Sequence, residues 1–215
     1  MRNLLIFLAL AAGCSDSKDN TDAGRAVLTN DCPTYCATIA ANCTGANTQY
    51  QDDAHCAAAC AKLPPGAAAT ETSGNTRGCR IYHAQNAMVL NDATTHCPHA
   101  GPGGAAISAA TPAPSVCGDA CTSFCTLEIA TCGSLDAPIA GVPAQYQNAA
   151  ACMTACGGFN KMKTLVAGAT NSSGDSLACR IYHITNAAIS AANAVTHCPH
   201  TAATPTGPCS GAAMP

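Results

Sequence analysis

The first part of the chain with a clear apolar rhythm is DCPTYCATIAANC, beginning at Asp31. Cys32, Cys36, Ile39 and Cys43 follow one another at helical intervals, with small or polar residues between them, so one apolar stripe runs along a helix. Asp31 ahead of Pro33 supplies an N-cap with proline in the first turn. A second helix is predicted over about residues 52–63. There Cys56 and Cys60 lie one turn apart, and Pro64-Pro65 stops the helix. A third is predicted from Asn75 or Thr76 to about residue 91. No stretch alternates apolar and polar residues with period two over a useful length, so strands are not expected.

The same pattern is then written again. Cys32, Cys36, Cys43, Cys56, Cys60, Cys79, Cys97 and Cys117 are matched in order, and nearly in spacing, by Cys121, Cys125, Cys132, Cys152, Cys156, Cys179, Cys198 and Cys209. QYQ precedes the second Cys pair in both, and CRIYH and THCPH each occur twice. The expected organisation is a leader over 1–13, a tether over 14–30, one Cys-rich helical repeat over 31–117 and a second over 118–215. The Gly- and Pro-rich stretch up to Cys117 reads as the linker.

The fold class expected is all-α and disulfide-rich: two tandem small domains of about three helices each. Two antiparallel Cys-x3-Cys helices can be stapled twice, Cys32–Cys60 outside and Cys36–Cys56 inside, with Cys121–Cys156 and Cys125–Cys152 as counterparts. This hairpin resembles the twin Cys-x3-Cys hairpins of small mitochondrial import chaperones; the resemblance covers the hairpin and carries no function. The pairing of Cys43, Cys79, Cys97 and Cys117, and of their counterparts, stays open. Composition explains the staples. Aromatics are 4% of residues and Trp is absent, so a thin core must be held covalently against chain entropy.

The N-terminus, MRNLLIFLALAAGC, has a positive Arg2, an apolar run too short to span a bilayer, and small residues leading to Cys14. It resembles the lipobox of bacterial lipoproteins, although Ala11 stands where Leu is commonest. The resemblance implies lipidation of Cys14 and an exported chain anchored in the bacterial envelope. Ser15 after the Cys favours the outer membrane. Lipid on Cys14 would also leave sixteen of the 17 Cys for disulfides. The expected partners are the membrane, through that anchor, and a protein or envelope ligand. The nine Lys+Arg form no basic run and the formal charge is −3, which argues against nucleic acid.

The chemistry-bearing residues collect in the two repeated motifs. On a helix, Cys79, Tyr82, His83 and Asn86 share a polar face, as do Cys179, Tyr182, His183 and Asn186. THCPH is expected after that helix as a loop stiffened by its proline. Two readings compete. In the first, His83, His96 and His99, and likewise His183, His197 and His200, are ligands for Zn or Cu, since neutral imidazoles suit both. Arg80, Tyr82, Asn86, Arg180, Tyr182 and Asn186 would then hold the ligands from outside. In the second, ranked ahead of it, the same side chains satisfy helix-end and loop carbonyls, with Arg80 capping carbonyls. No nucleophile–base pair, paired carboxylates or phosphate-binding loop is evident, so an enzyme ranks last. The function expected from sequence is a non-catalytic envelope lipoprotein acting as a binding or scaffolding module, with metal binding as the alternative.

Overall fold

The computed structural model describes residues 27–105, 116–165, 167 and 171–211. Cys14, the leader and most of the tether lie outside these residues, as does the middle of the linker. Among the described residues eight α-helices form, four in each copy: α1 Cys32–Asn42, α2 Asp53–Cys60, α3 Arg77–Val89, α4 Ala93–Ala100, then α5 Ala120–Cys132, α6 Ala149–Gly157, α7 Leu177–Ala187 and α8 Ala191–His197. No strand occurs among the described residues. The chain is all-α and disulfide-rich.

Each helix begins at a capping side chain that accepts a backbone N–H otherwise left without a partner. Asp31 takes the amide of Thr34, Asp52 that of His55, Thr76 that of Cys79 and Asp92 that of Thr95. Asp119, Asn148, Ser176 and Ser190 do the same in the second copy. Asp92 explains the main departure from the sequence reading. The stretch holding THCPH is not a loop but the helix α4, and Pro98 sits inside it. In the second copy the α-helix stops at His197, and Cys198–Thr201 continues as one 3-10 turn with Pro199 at its start.

The staples fix how these helices pack. Cys32–Cys60 and Cys36–Cys56 join α1 to α2 at Cα separations of 5.7 and 5.8 Å, and Cys121–Cys156 and Cys125–Cys152 join α5 to α6 at 5.6 and 5.8 Å. The four bonds that the sequence left open have a common logic. Cys43–Cys97 and Cys132–Cys198 fasten the end of the first helix to the THCPH segment. Cys79–Cys117 and Cys179–Cys209 fasten the CRIYH helix to the last Cys of its copy. Every one of these bonds lies within a copy.

The apolar core nevertheless runs through both copies. Tyr35, Ile39, Leu63, Ile81 and Ala84 belong to one buried cluster with Phe124, Leu127, Leu177, Ile181 and Ile184. Polar contacts cross the same boundary. Asn75 donates to the Thr126 hydroxyl at 2.8 Å, Arg80 donates to Ser123 Oγ at 3.0 Å, and the Ala167 amide donates to the Thr48 carbonyl at 2.9 Å. α2 of the first copy packs on α7 of the second.

Candidate metal centre

Within each copy the CRIYH helix supplies one imidazole and the THCPH segment two. His83 projects from α3. His96 and His99, three apart on α4, fall on the same side of that helix and face it. The helical form of α4 is therefore what brings the pair to His83. One nitrogen from each ring lies within 4.8 Å of the others, and the set His183, His197 and His200 repeats this.

The nitrogens meet closely. His83 Nδ1 is 2.9 Å from His96 Nδ1. His183 Nδ1 is 2.9 Å from His197 Nδ1 and 3.2 Å from His200 Nδ1. Four ligands set tetrahedrally around an ion at about 2.0–2.1 Å are separated by about 3.3 Å. The spacing in the second copy is close to that edge. Backbone carbonyls fix the proton on the far side of the central ring. His83 Nε2 faces the Thr72 carbonyl at 3.2 Å and His183 Nε2 faces the Ser172 carbonyl at 3.1 Å. A carbonyl can only accept, so Nε2 carries the hydrogen and Nδ1 turns its lone pair to the centre.

Burial disfavours the charged form of His99, His183, His197 and His200. It brings His99 down to about 4, with the charges of His83 and His96 adding to the effect. Burial likewise takes His183 to about 4, helped by His200 and His197 and opposed by the Ser172 carbonyl. His197 and His200 are lowered by the same cause. His99 is only 5% exposed, and its Nδ1 is buried without a hydrogen-bond partner, the condition of a donor atom that lacks its acceptor. The sulfurs of Cys79 and Cys117 also approach His83, but they are bonded to each other and so are not thiolate ligands.

The surrounding side chains divide into two groups. Tyr82 and Tyr182 set their rings edge-on to His83 and His183 at 5.2 and 5.1 Å. Asn86 is buried one turn beyond His83, and Asn186 donates to the Tyr182 carbonyl at 2.8 Å. Arg80 and Arg180, fully buried, spend their donors on the polypeptide. Arg80 binds the Gly101 and Thr76 carbonyls, Asn75 and Ser123; Arg180 binds the Ala202 and Ser176 carbonyls. They pin the ends of the ring-bearing segments. One residue that the sequence reading left aside reaches the second centre from the first copy. His55 contacts Asp52 Oδ1 through Nδ1 at 2.7 Å and Asn186 Oδ1 through Nε2 at 3.1 Å. The signal for it was the Asp at the N-cap three residues earlier, together with Ala151 at the matching place in the second copy.

The relatives of this chain are fungal. Over 71 residues it is 41% identical to "Aurasperone B biosynthesis cluster protein A" of Aspergillus niger and 41% identical to "Bifonsecin B biosynthesis cluster protein A" of Aspergillus brasiliensis. These stretches are 33% of this chain and 23% of each relative, so the chain spans under a quarter of their length. No solved structure matches. The fungal relatives overturn the expected place of this chain in a bacterial outer membrane. That expectation rested on about fifteen residues, and an apolar run ending at a Cys is too short a pattern to identify a bacterial source. Residues 5–111, which take in most of the first copy, match the BfoA family C-terminal domain, and that is the family this chain resembles.

Proposed function

We propose that this chain is a non-catalytic, disulfide-stapled binding module whose ligand is a borderline transition-metal ion, zinc or copper, held by three imidazoles in each copy. The observation that carries this reading is the meeting of Nδ1 atoms from His183, His197 and His200, with the opposite nitrogen of His183 committed to a carbonyl. Three uncharged lone pairs facing one point repel unless a proton or a cation lies between them. The relatives are named as biosynthesis cluster proteins, a description compatible with an accessory module. Eight disulfides also suit a compartment where thiols stay oxidised.

A purely architectural role is the second reading. The carbonyl contacts of His83 and His183 favour it, since each ties the loop before its helix to the helix itself. Metal analysis and zinc titration of the oxidised protein separate the two. The metal reading expects two equivalents bound tightly, one lost in His83→Ala, one in His183→Ala and both in the double variant, with helical circular dichroism retained. Absence of binding, or binding that these substitutions leave intact, leaves the architectural reading.

A further inference from the structure

The two centres share a ligand set but not a setting. In the first, α4 carries both His96 and His99 on continuous helix, and His99 is buried in the core. In the second, the helix ends at His197, so His200 rides on the 3-10 turn and is only half-buried. A bare stretch of backbone stands over that ring. A Cβ at Gly207 would come to 3.0 Å from His200 Nε2, and the φ of +69° there favours glycine in any case. Among the described residues the second centre has a neighbour from the other copy, His55, which Asp52 holds at the start of α2 and which meets Asn186 on the helix that bears His183. The corresponding residue, Ala151, cannot do this for the first centre.

We infer that the centre formed by His183, His197 and His200 keeps a fourth coordination position open to a small exogenous oxygen or nitrogen donor, such as water, hydroxide, a carboxylate or a simple anion, while the centre formed by His83, His96 and His99 is closed to such donors. This rests on the metal reading above. Three protein ligands plus an exchangeable one is the arrangement that distinguishes reactive from purely structural zinc sites, which are closed on all sides. Gly207 packs behind the His200 ring, against Nε2, while Nδ1 faces the centre, and the half-buried position of His200 leaves that side of the centre within reach of a donor of a few atoms. In the first copy His99 is buried and His96 alone of the three rings is half-buried, which narrows that access. The module therefore presents one metal for holding its own fold and one for meeting a ligand from solution.

Cobalt(II) reports the difference, because its visible spectrum responds to the number and type of its ligands. The oxidised protein would be loaded with two equivalents of cobalt and titrated with azide. About half of the absorption is expected to shift, saturating at one azide per protein. The His83→Ala protein, which retains the second centre, should shift in full. The His183→Ala protein, which retains the first, should not respond. A shift of both centres, of neither, or of the first alone overturns the inference while leaving the metal reading standing. Failure to take up cobalt at all removes the metal reading itself. If either single variant misfolds, the half-amplitude and the one-to-one azide stoichiometry of the unaltered protein decide the matter.

Discussion

Tyr35 and Phe124 hold the same position in the two copies, and the hydroxyl that only the first possesses reorders the buried contacts around it. In the first copy the Tyr35 hydroxyl donates to the Ala100 carbonyl at 2.5 Å, and the Tyr50 hydroxyl, 2.9 Å away, can donate to Tyr35. Burial pushes both phenols up, Tyr50 to about 12. In the second copy Tyr146, the counterpart of Tyr50, reaches directly to the Thr201 carbonyl at 2.6 Å. Ala100 and Thr201 are the residues after His99 and His200. The demand repeated in both copies is therefore a satisfied carbonyl at the end of the ring-bearing segment, met by two hydroxyls in one and by one in the other. The arginines show the same rule. Arg80 and Arg180 bind equivalent carbonyls, of Gly101 and Ala202, but only Arg180 gains an ion pair, with Asp175 at 2.7 Å, and an aromatic face, Phe159 at 3.8 Å.

The sharpest divergence lies beneath these contacts. Ile39 of the first copy becomes Glu128 in the second, fully buried, with neither carboxyl oxygen hydrogen-bonded. Burial raises its pKa from 4.5 to about 8; the neighbouring Thr201 hydroxyl, committed to the Cys198 carbonyl, relieves little of this. The folded protein thus holds a proton that the unfolded chain releases. Stability from this group is fully present below about pH 4.5 and is lost as the pH rises through about 8. At ~1.4 kcal/mol per unit, the loss across that window is of order 5 kcal/mol. Glu128→Ile, which copies the first repeat, is expected to flatten the decline and raise the urea midpoint most at pH 8–9. Equal pH slopes in the two proteins would mean that Glu128 is not held neutral.

Removing hydroxyls tests the carbonyl rule. Tyr146→Phe leaves the Thr201 carbonyl without its donor and is expected to cost about 2 kcal/mol. Tyr35→Phe should cost less, about 1 kcal/mol, because Tyr50 can take over Ala100 as Tyr146 already serves Thr201. Chemical denaturation of both variants gives the order; a larger loss from Tyr35→Phe would break the equivalence. The smallest effect concerns Arg180. Its partner Asp175 is half-exposed, so Asp175→Asn, which makes the site resemble Asn75 beside Arg80, should cost about 0.5–1 kcal/mol and less in high salt. A larger, salt-independent cost would show that the buried guanidinium depends on that charge.

Much of the hairpin was legible because two Cys one helical turn apart on each of two facing helices leave little choice of partner. Cys32–Cys60 and Cys36–Cys56 follow from that geometry. The capping residues Asp31, Thr76 and Ser176 were equally readable, being local. THCPH has the local signature of a loop because Pro98 weighs against a helix, while the cap that starts α4, Asp92, lies six residues earlier. The convergence of His96 and His99 on His83 depends on that helical spacing. Tyr35, Glu128 and His55 were not legible in their roles. Each is defined by a partner far along the chain, Ala100, the buried core or Asn186, and no local pattern announces those.

One consequence of the disulfide layout is mechanical. A pulling force that melts every helix of the first copy would still find Cys32 bonded to Cys60 and Cys79 bonded to Cys117. The taut strand between Cys32 and Cys117 then runs only through the roughly twenty residues from Cys60 to Cys79, at most ~70 Å at full extension. The second copy is shortened likewise by Cys121–Cys156 and Cys179–Cys209. Residues 32–117 without bridges would reach roughly 300 Å, so the two bonds cut the extension of the first copy to about a quarter. The remaining slack is locked inside closed loops.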